Sequence, residues 1–152
     1  TYPNIQGNAY FSAKAFVNNN KDVVALLENN QYKYPAIPLP VPSSVKTGIE
    51  RPLLNTFVKE GDSYVFSFKK TQSEQIRYIV VYSTENNIKL DSNDPSQIVE
   101  KVFIDAKSES IHYSISKTRL NNAKKIAFTY IDFYGNESVP EIINLNTEIK
   151  QN

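Results

Sequence analysis

Glu60-Gly61-Asp62-Ser63-Tyr64-Val65-Phe66-Ser67-Phe68 is the stretch that decides the fold. Gly61-Asp62 supplies turn chemistry. Beyond it Tyr64, Phe66 and Phe68 alternate with Val65 and Ser67, so one face is uniformly aromatic. A period of two over this length is the signature of a strand with one face buried. Asn55-Thr56-Phe57-Val58-Lys59 leads into the same turn and completes a hairpin. Downstream the pattern recurs in Ile76 to Tyr82, where Tyr78, Val80 and Tyr82 share a face. After the polar stretch from Asn86 to Asp94 come Ile98 to Ile104, Ile111 to Ile115, Lys125 to Phe133 and Val139 to Leu145. Seven short runs separated by polar turns, with no convincing helix among them, predict a mainly β fold. The expectation is a seven-stranded antiparallel sandwich over residues 53–148. Its core is expected to hold Tyr64, Phe66, Phe68, Tyr78, Phe128 and Tyr130.

Upstream, the texture changes. Five of the eight prolines (Pro35, Pro38, Pro40, Pro42 and Pro52) fall in residues 35–52. Alternating proline and aliphatic residues disfavour helix and remove ladder donors. An extended, stiff linker is expected, laid against a surface by its apolar side chains. Residues 1–34 read as a short strand, Asn8 to Ala13, then a helix over Asp22 to Asn30. An Asn N-cap and Asp22 in the first turn favour the helix start. Val23, Leu26 and Leu27 form an i, i+3, i+4 stripe. One strand and one helix cannot bury their own apolar faces. That orphan unit, with a first residue Thr1 and no Met in the chain, leads to the expectation of a C-terminal piece of a larger protein.

Composition narrows the function. Seventeen basic and sixteen acidic residues give a net charge of +1, with the signs interspersed. No positive field suited to a phosphate backbone results, so no nucleic acid partner is expected. No apolar run reaches membrane-spanning length, so no membrane insertion is expected, and the chain does not open on a signal-peptide pattern. Without Cys there is no thiol nucleophile and no thiolate metal ligand. The single His, His112, alternates with Ile111 and Tyr113 and is expected to point to solvent. One His is a poor basis for a metal site or a triad, and four glycines leave little room for a phosphate loop. No cofactor is expected.

Phe128-Thr129-Tyr130-Ile131-Asp132-Phe133-Tyr134-Gly135-Asn136-Glu137-Ser138 resembles the F strand, turn and G-strand start of fibronectin type III domains. Tyr78 to Tyr82 is similar to their C strand, and Gly61 to Phe68 to their A–B turn and B strand. The chain departs from the family at Phe68, where a Trp is usual, and at Ile126, where the F strand has its corner Tyr. Gln6 to Phe16, the helix after it, and Tyr32-Lys33-Tyr34-Pro35-Ala36-Ile37-Pro38 resemble the end of the barrel in family-10-like glycoside hydrolases. These are lipoprotein-type enzymes of Bacteroides-like bacteria, in which a β/α barrel precedes a fibronectin type III-like domain.

The resemblance implies a strand-helix remnant of an upstream barrel at 1–34, a linker at 35–52 and the sandwich at 53–148. It implies a non-catalytic accessory domain that packs on or positions its own upstream catalytic barrel. The location would be exported, periplasmic or at the cell surface, the parent being a lipoprotein. A glycosidase needs two opposed carboxyl groups, and there is no Asp or Glu between Thr1 and Lys21. No catalytic residue is therefore expected in this chain. Asp132 is read as the cap of the Phe133-Tyr134-Gly135-Asn136 turn. The alternatives are a carbohydrate-binding module, with a polysaccharide as partner, or a module that binds protein through a sheet edge. For sugar contact the candidates are Tyr10 and Lys14, near the barrel's active-site face by analogy, with Tyr82 near a strand end and Phe133 and Tyr134 at a turn.

Overall fold

The computed structural model describes residues 14–30, 32–41, 48–69, 75–84, 89–105, 108, 110–121 and 123–146. The chain divides into two compact units, Thr1–Tyr34 and Pro35–Asn152.

In the first unit, α1 (Lys14–Val17) and α2 (Val23–Asn29) are joined through a 3-10 turn at Asn20–Asp22. The cap comes from Asn19, whose Oδ1 accepts from Val24 N at 3.1 Å. Of the expected stripe only Leu27 is buried; Leu26 is 62 % exposed. The first helix, α1, was not anticipated from the sequence. The expected strand at Asn8 to Ala13 lies outside the described residues.

The second unit is mainly β. Its strands are β1 (Leu54–Glu60), β2 (Ser63–Lys69), β3 (Ile76–Thr84), β4 (Ile98–Phe103), β5 (Ser110–Ser116), β6 (Lys125–Asp132) and β7 (Glu141–Asn144). They form two antiparallel sheets in the orders β1-β2-β5 and β4-β3-β6-β7. The opening hairpin sits as read, Glu60 opposite Ser63 across the Gly61-Asp62 turn. Gly61 takes φ 53°, which glycine adopts without penalty.

Alternation places Phe66 and Phe68 of β2, Ile79 and Val81 of β3, and Ile126, Phe128 and Tyr130 of β6 in one core between the sheets. Phe128 is its hub, with ring centroids 5.0 Å from Phe66, 4.7 Å from Phe68 and 5.8 Å from Tyr113. Tilted and edge-on contacts of this kind match the ring quadrupoles. Burial of each such ring contributes about 1.5–3 kcal/mol. Leu120, in the turn after β5, joins this core. Tyr64 is half-buried against this core. Tyr78 is a correction: it lies on the opposite face of β3, beside Val80 and Tyr82, with its ring edge-on to Phe103 at 5.9 Å.

Candidate functional site

The outer face of the second sheet is also dry. Val80 and Tyr82 of β3 and Ala127, Thr129 and Ile131 of β6 point away from the core, yet each is no more than 1 % exposed. Five residues of this kind facing water would forfeit several kcal/mol of burial, so something must cover them. Part of the cover is Leu90, and part is the proline-rich segment Pro35–Val41, whose Ile37 packs on this cluster.

The segment lies across the sheet as a strap. At the β4 side Lys101 Nζ donates to Ala36 O at 3.4 Å. At the β6–β7 turn Val41 N donates to Tyr134 O at 2.9 Å. Pro35, Pro38 and Pro40 carry no N–H, so three of the seven residues of Pro35–Val41 bring no backbone donor to the apolar face.

Asp132 organises the turn that anchors it. Its carboxylate accepts from Tyr134 N at 2.8 Å, Asn136 N at 2.9 Å and Asn136 Nδ2 at 3.0 Å. Both residues are 4 % exposed, so Asp132 is held in turn chemistry. Beneath the strap lies one polar cluster. Tyr82 Oη and Thr129 Oγ1 each donate to Glu137 Oε1 at 2.6 Å. Burial, and after it the adjacent Glu137 carboxylate, pushes the Tyr82 phenol far above its ordinary range.

The expected sugar-contact residues divide sharply. Tyr10 lies outside the described residues, and Lys14 is exposed on α1, in the first unit. Tyr82 must be withdrawn: it is fully buried, and its hydroxyl is committed to Glu137. Phe133 and Tyr134 are together at the β6–β7 turn, 60 % and 39 % exposed. The Arg77 guanidinium lies 3.4 Å from the Phe133 ring centroid and occupies one face of it. Strap residues Leu39 and Val41 are also exposed, and they adjoin this turn through the Val41–Tyr134 bond and the approach of Leu39 to Gly135. Leu39, Val41, Phe133 and Tyr134 thus form one apolar patch with Arg77 at its margin. Leu39, Val41 and Arg77 were not legible as patch residues in the sequence; the proline–aliphatic alternation signalled a surface-laid segment but not which residues would face outward.

A concavity of about 120 Å³ opens between β4 and β5, lined by Ile79, Ile104 and Tyr113 with Asp105, Ser108 and His112. His112 is exposed, as expected. Its Nε2 lies 2.7 Å from Ser110 Oγ. Side chains two apart share a strand face, so this pair follows from periodicity alone. Tyr113 Oη donates to Glu100 Oε2 at 3.1 Å, and Arg119 pairs with the same oxygen at 3.0 Å. Among the described residues no three His, Asp or Glu side chains converge as a metal site, and no helix is long and apolar enough to cross a membrane. Compared with protein-family models, curated proteins and solved structures, the chain matches none.

Proposed function

We propose that this chain is a non-catalytic accessory domain of an exported bacterial glycoside hydrolase, and that its strap fixes the sandwich at a set orientation to a catalytic barrel upstream. One observation carries the reading: the segment leading into the sandwich is tied down at both margins of the second sheet rather than left as a tether. A linker held at Ala36, Ile37 and Val41 transmits orientation, whereas a flexible one does not. The exposed patch of Leu39, Val41, Phe133 and Tyr134 beside the strap then supplies an apolar surface for the barrel to rest on.

The fibronectin type III reading has independent support in the strand order. β1-β2-β5 corresponds to A-B-E of such sandwiches, and β3-β6-β7 to C-F-G, with β4 added at the edge. The segments that carry the resemblance fall on β2, β3 and β6. The carbohydrate-binding alternative has less support: of its candidate rings, Tyr82 is buried and Phe133 has one face under Arg77.

Two experiments test the proposal. The reading frame upstream of Thr1 is expected to encode a β/α barrel with paired carboxyl groups; an unrelated domain there contradicts it. Incubated with polysaccharides and aryl glycosides, the 152-residue chain is expected to release no product, and reproducible hydrolysis would sink the reading.

A further inference from the structure

A β-sandwich has four edge strands, and each needs protection against pairing with another chain. Among the described residues three of the four edges, β1, β4 and β7, have it. β1 carries Lys59 and Glu60 and a register break between Leu54 and Thr56. β4 carries Glu100 and Lys101 and pairs β3 through an irregularity. β7 is four residues long, begins at Glu141 and follows Pro140. β5 has none of these devices. Ser110-Ile111-His112-Tyr113-Ser114-Ile115-Ser116 contains no Pro, Lys, Arg, Asp or Glu, and it pairs β2 over all seven residues without a shift.

We propose that β5 is a docking edge for a second copy of this chain, pairing antiparallel with itself about a two-fold axis at Tyr113. The sequence of the strand is self-complementary. Reversed on itself about Tyr113, it sets Ser110 against Ser116, Ile111 against Ile115 and His112 against Ser114 of the second copy. A two-fold interface requires this kind of match, because one patch must complement itself.

Backbone parity agrees with that register. Lys69 N donates to Leu53 O, toward β1, so Ser67 and Val65 also face β1, while Phe68, Phe66 and Tyr64 face β5. Their partners Ile111, Tyr113 and Ile115 therefore point their main chain back toward β2. The N–H and C=O groups of Ser110, His112 and Ser114 point outward. Pairing about Tyr113 brings His112 opposite Ser114 of the second copy, joining outward-facing groups to outward-facing groups. The net charge of +1 puts little repulsion between copies. One strand per copy buries less than a standard stable interface, so the dimer is a weak, concentration-dependent one.

The test is sedimentation equilibrium of the full chain from about 10 µM to about 1 mM, with amide spectra followed over the same range. The expected result is a monomer–dimer equilibrium, with concentration-dependent shifts centred on residues 110–116. Ser114→Pro removes an amide that faces away from β2, so it spares the β2–β5 ladder. Ser114→Lys sets a charge on the exposed edge. Each is expected to weaken the dimer at least tenfold, with the far-UV spectrum and thermal midpoint checked against the parent chain. A chain monomeric throughout overturns the proposal. So does a dimer unaffected by both substitutions in folded protein, or one whose shifts centre on β1 or β7.

Discussion

The backbone of Gly135 passes so close to that of Leu39 that a Cβ built on the glycine would lie 2.9 Å from the Leu39 carbonyl oxygen and 3.2 Å from that of Pro38. The obstacle is main chain on both counts, so it cannot rotate away. Gly135 also holds φ 80°, a conformation that side chains disfavour. A single residue type therefore lets the strap lie against the turn of its own sandwich.

Gly135→Ala is expected to destabilise the fold by roughly 2–4 kcal/mol, from backbone strain and the clash together. Gly61→Ala is the matched control. Gly61 also has positive φ, but nothing lies within 4 Å of its Cβ position, so only the strain of about 1 kcal/mol applies. Urea unfolding of the two variants measures the difference. Equal losses would mean that the close approach carries no energy.

Glu137 holds the buried polar cluster together. Glu137→Leu strands the hydroxyls of Tyr82 and Thr129, which now share its Oε1, at a cost of about 2–4 kcal/mol. Glu137→Gln keeps an acceptor and is expected to cost only about 1 kcal/mol. Adding Tyr82→Phe to Glu137→Leu removes one stranded group, so the double variant is expected to be less destabilised than the two single losses added. Strict additivity in denaturant unfolding contradicts the shared-acceptor geometry.

Three phenols shape the alkaline limb of stability. Burial, and then nearby carboxylates, raises Tyr82 and Tyr113; burial with the charge of Glu50 pushes Tyr130 up to about 12. An unfolded Tyr ionises near ~10. Above that pH the unfolded chain binds fewer protons than the native one, so stability falls as pH rises. The contribution is complete below ~10 and lost as pH climbs through the folded values. Unfolding followed from about pH 9 to about pH 11.5 is expected to show this decline, with Tyr130→Phe reducing its slope. Among the described residues Tyr130 Oη is buried with no hydrogen-bond partner, so Tyr130→Phe is also expected to stabilise the protein by up to about 1 kcal/mol at neutral pH. Constant stability across the range contradicts the assignment.

The strands were legible because each buries at least one continuous face. β2 announces itself through Tyr64, Phe66 and Phe68, and the Asp132 turn through local chemistry within four residues. Tyr82 was not legible as a buried residue. Its strand is covered on both sides, and the cover comes from Ile37, a segment far upstream that no local pattern around Tyr82 reveals. Glu137 escaped notice for the same reason, since its partner Tyr82 lies 55 residues away. Leu26 failed in the opposite sense, a stripe residue that its helix leaves exposed. Phe133 and Tyr134 were placed at a turn from their neighbours Asp132 and Gly135, but the guanidinium over Phe133 comes from β3 and had no sequence signal.

The strap is the central claim, and hydrogen exchange at the Val41 amide tests it most directly. That amide donates to Tyr134 O at 2.9 Å. If the strap is a built part of the sandwich, the Val41 amide exchanges at least roughly a hundredfold more slowly than in an unstructured peptide, and Gly135→Ala abolishes most of that protection. Exchange at the free-peptide rate in the unsubstituted chain would show the segment to be a loose tether and would contradict the account.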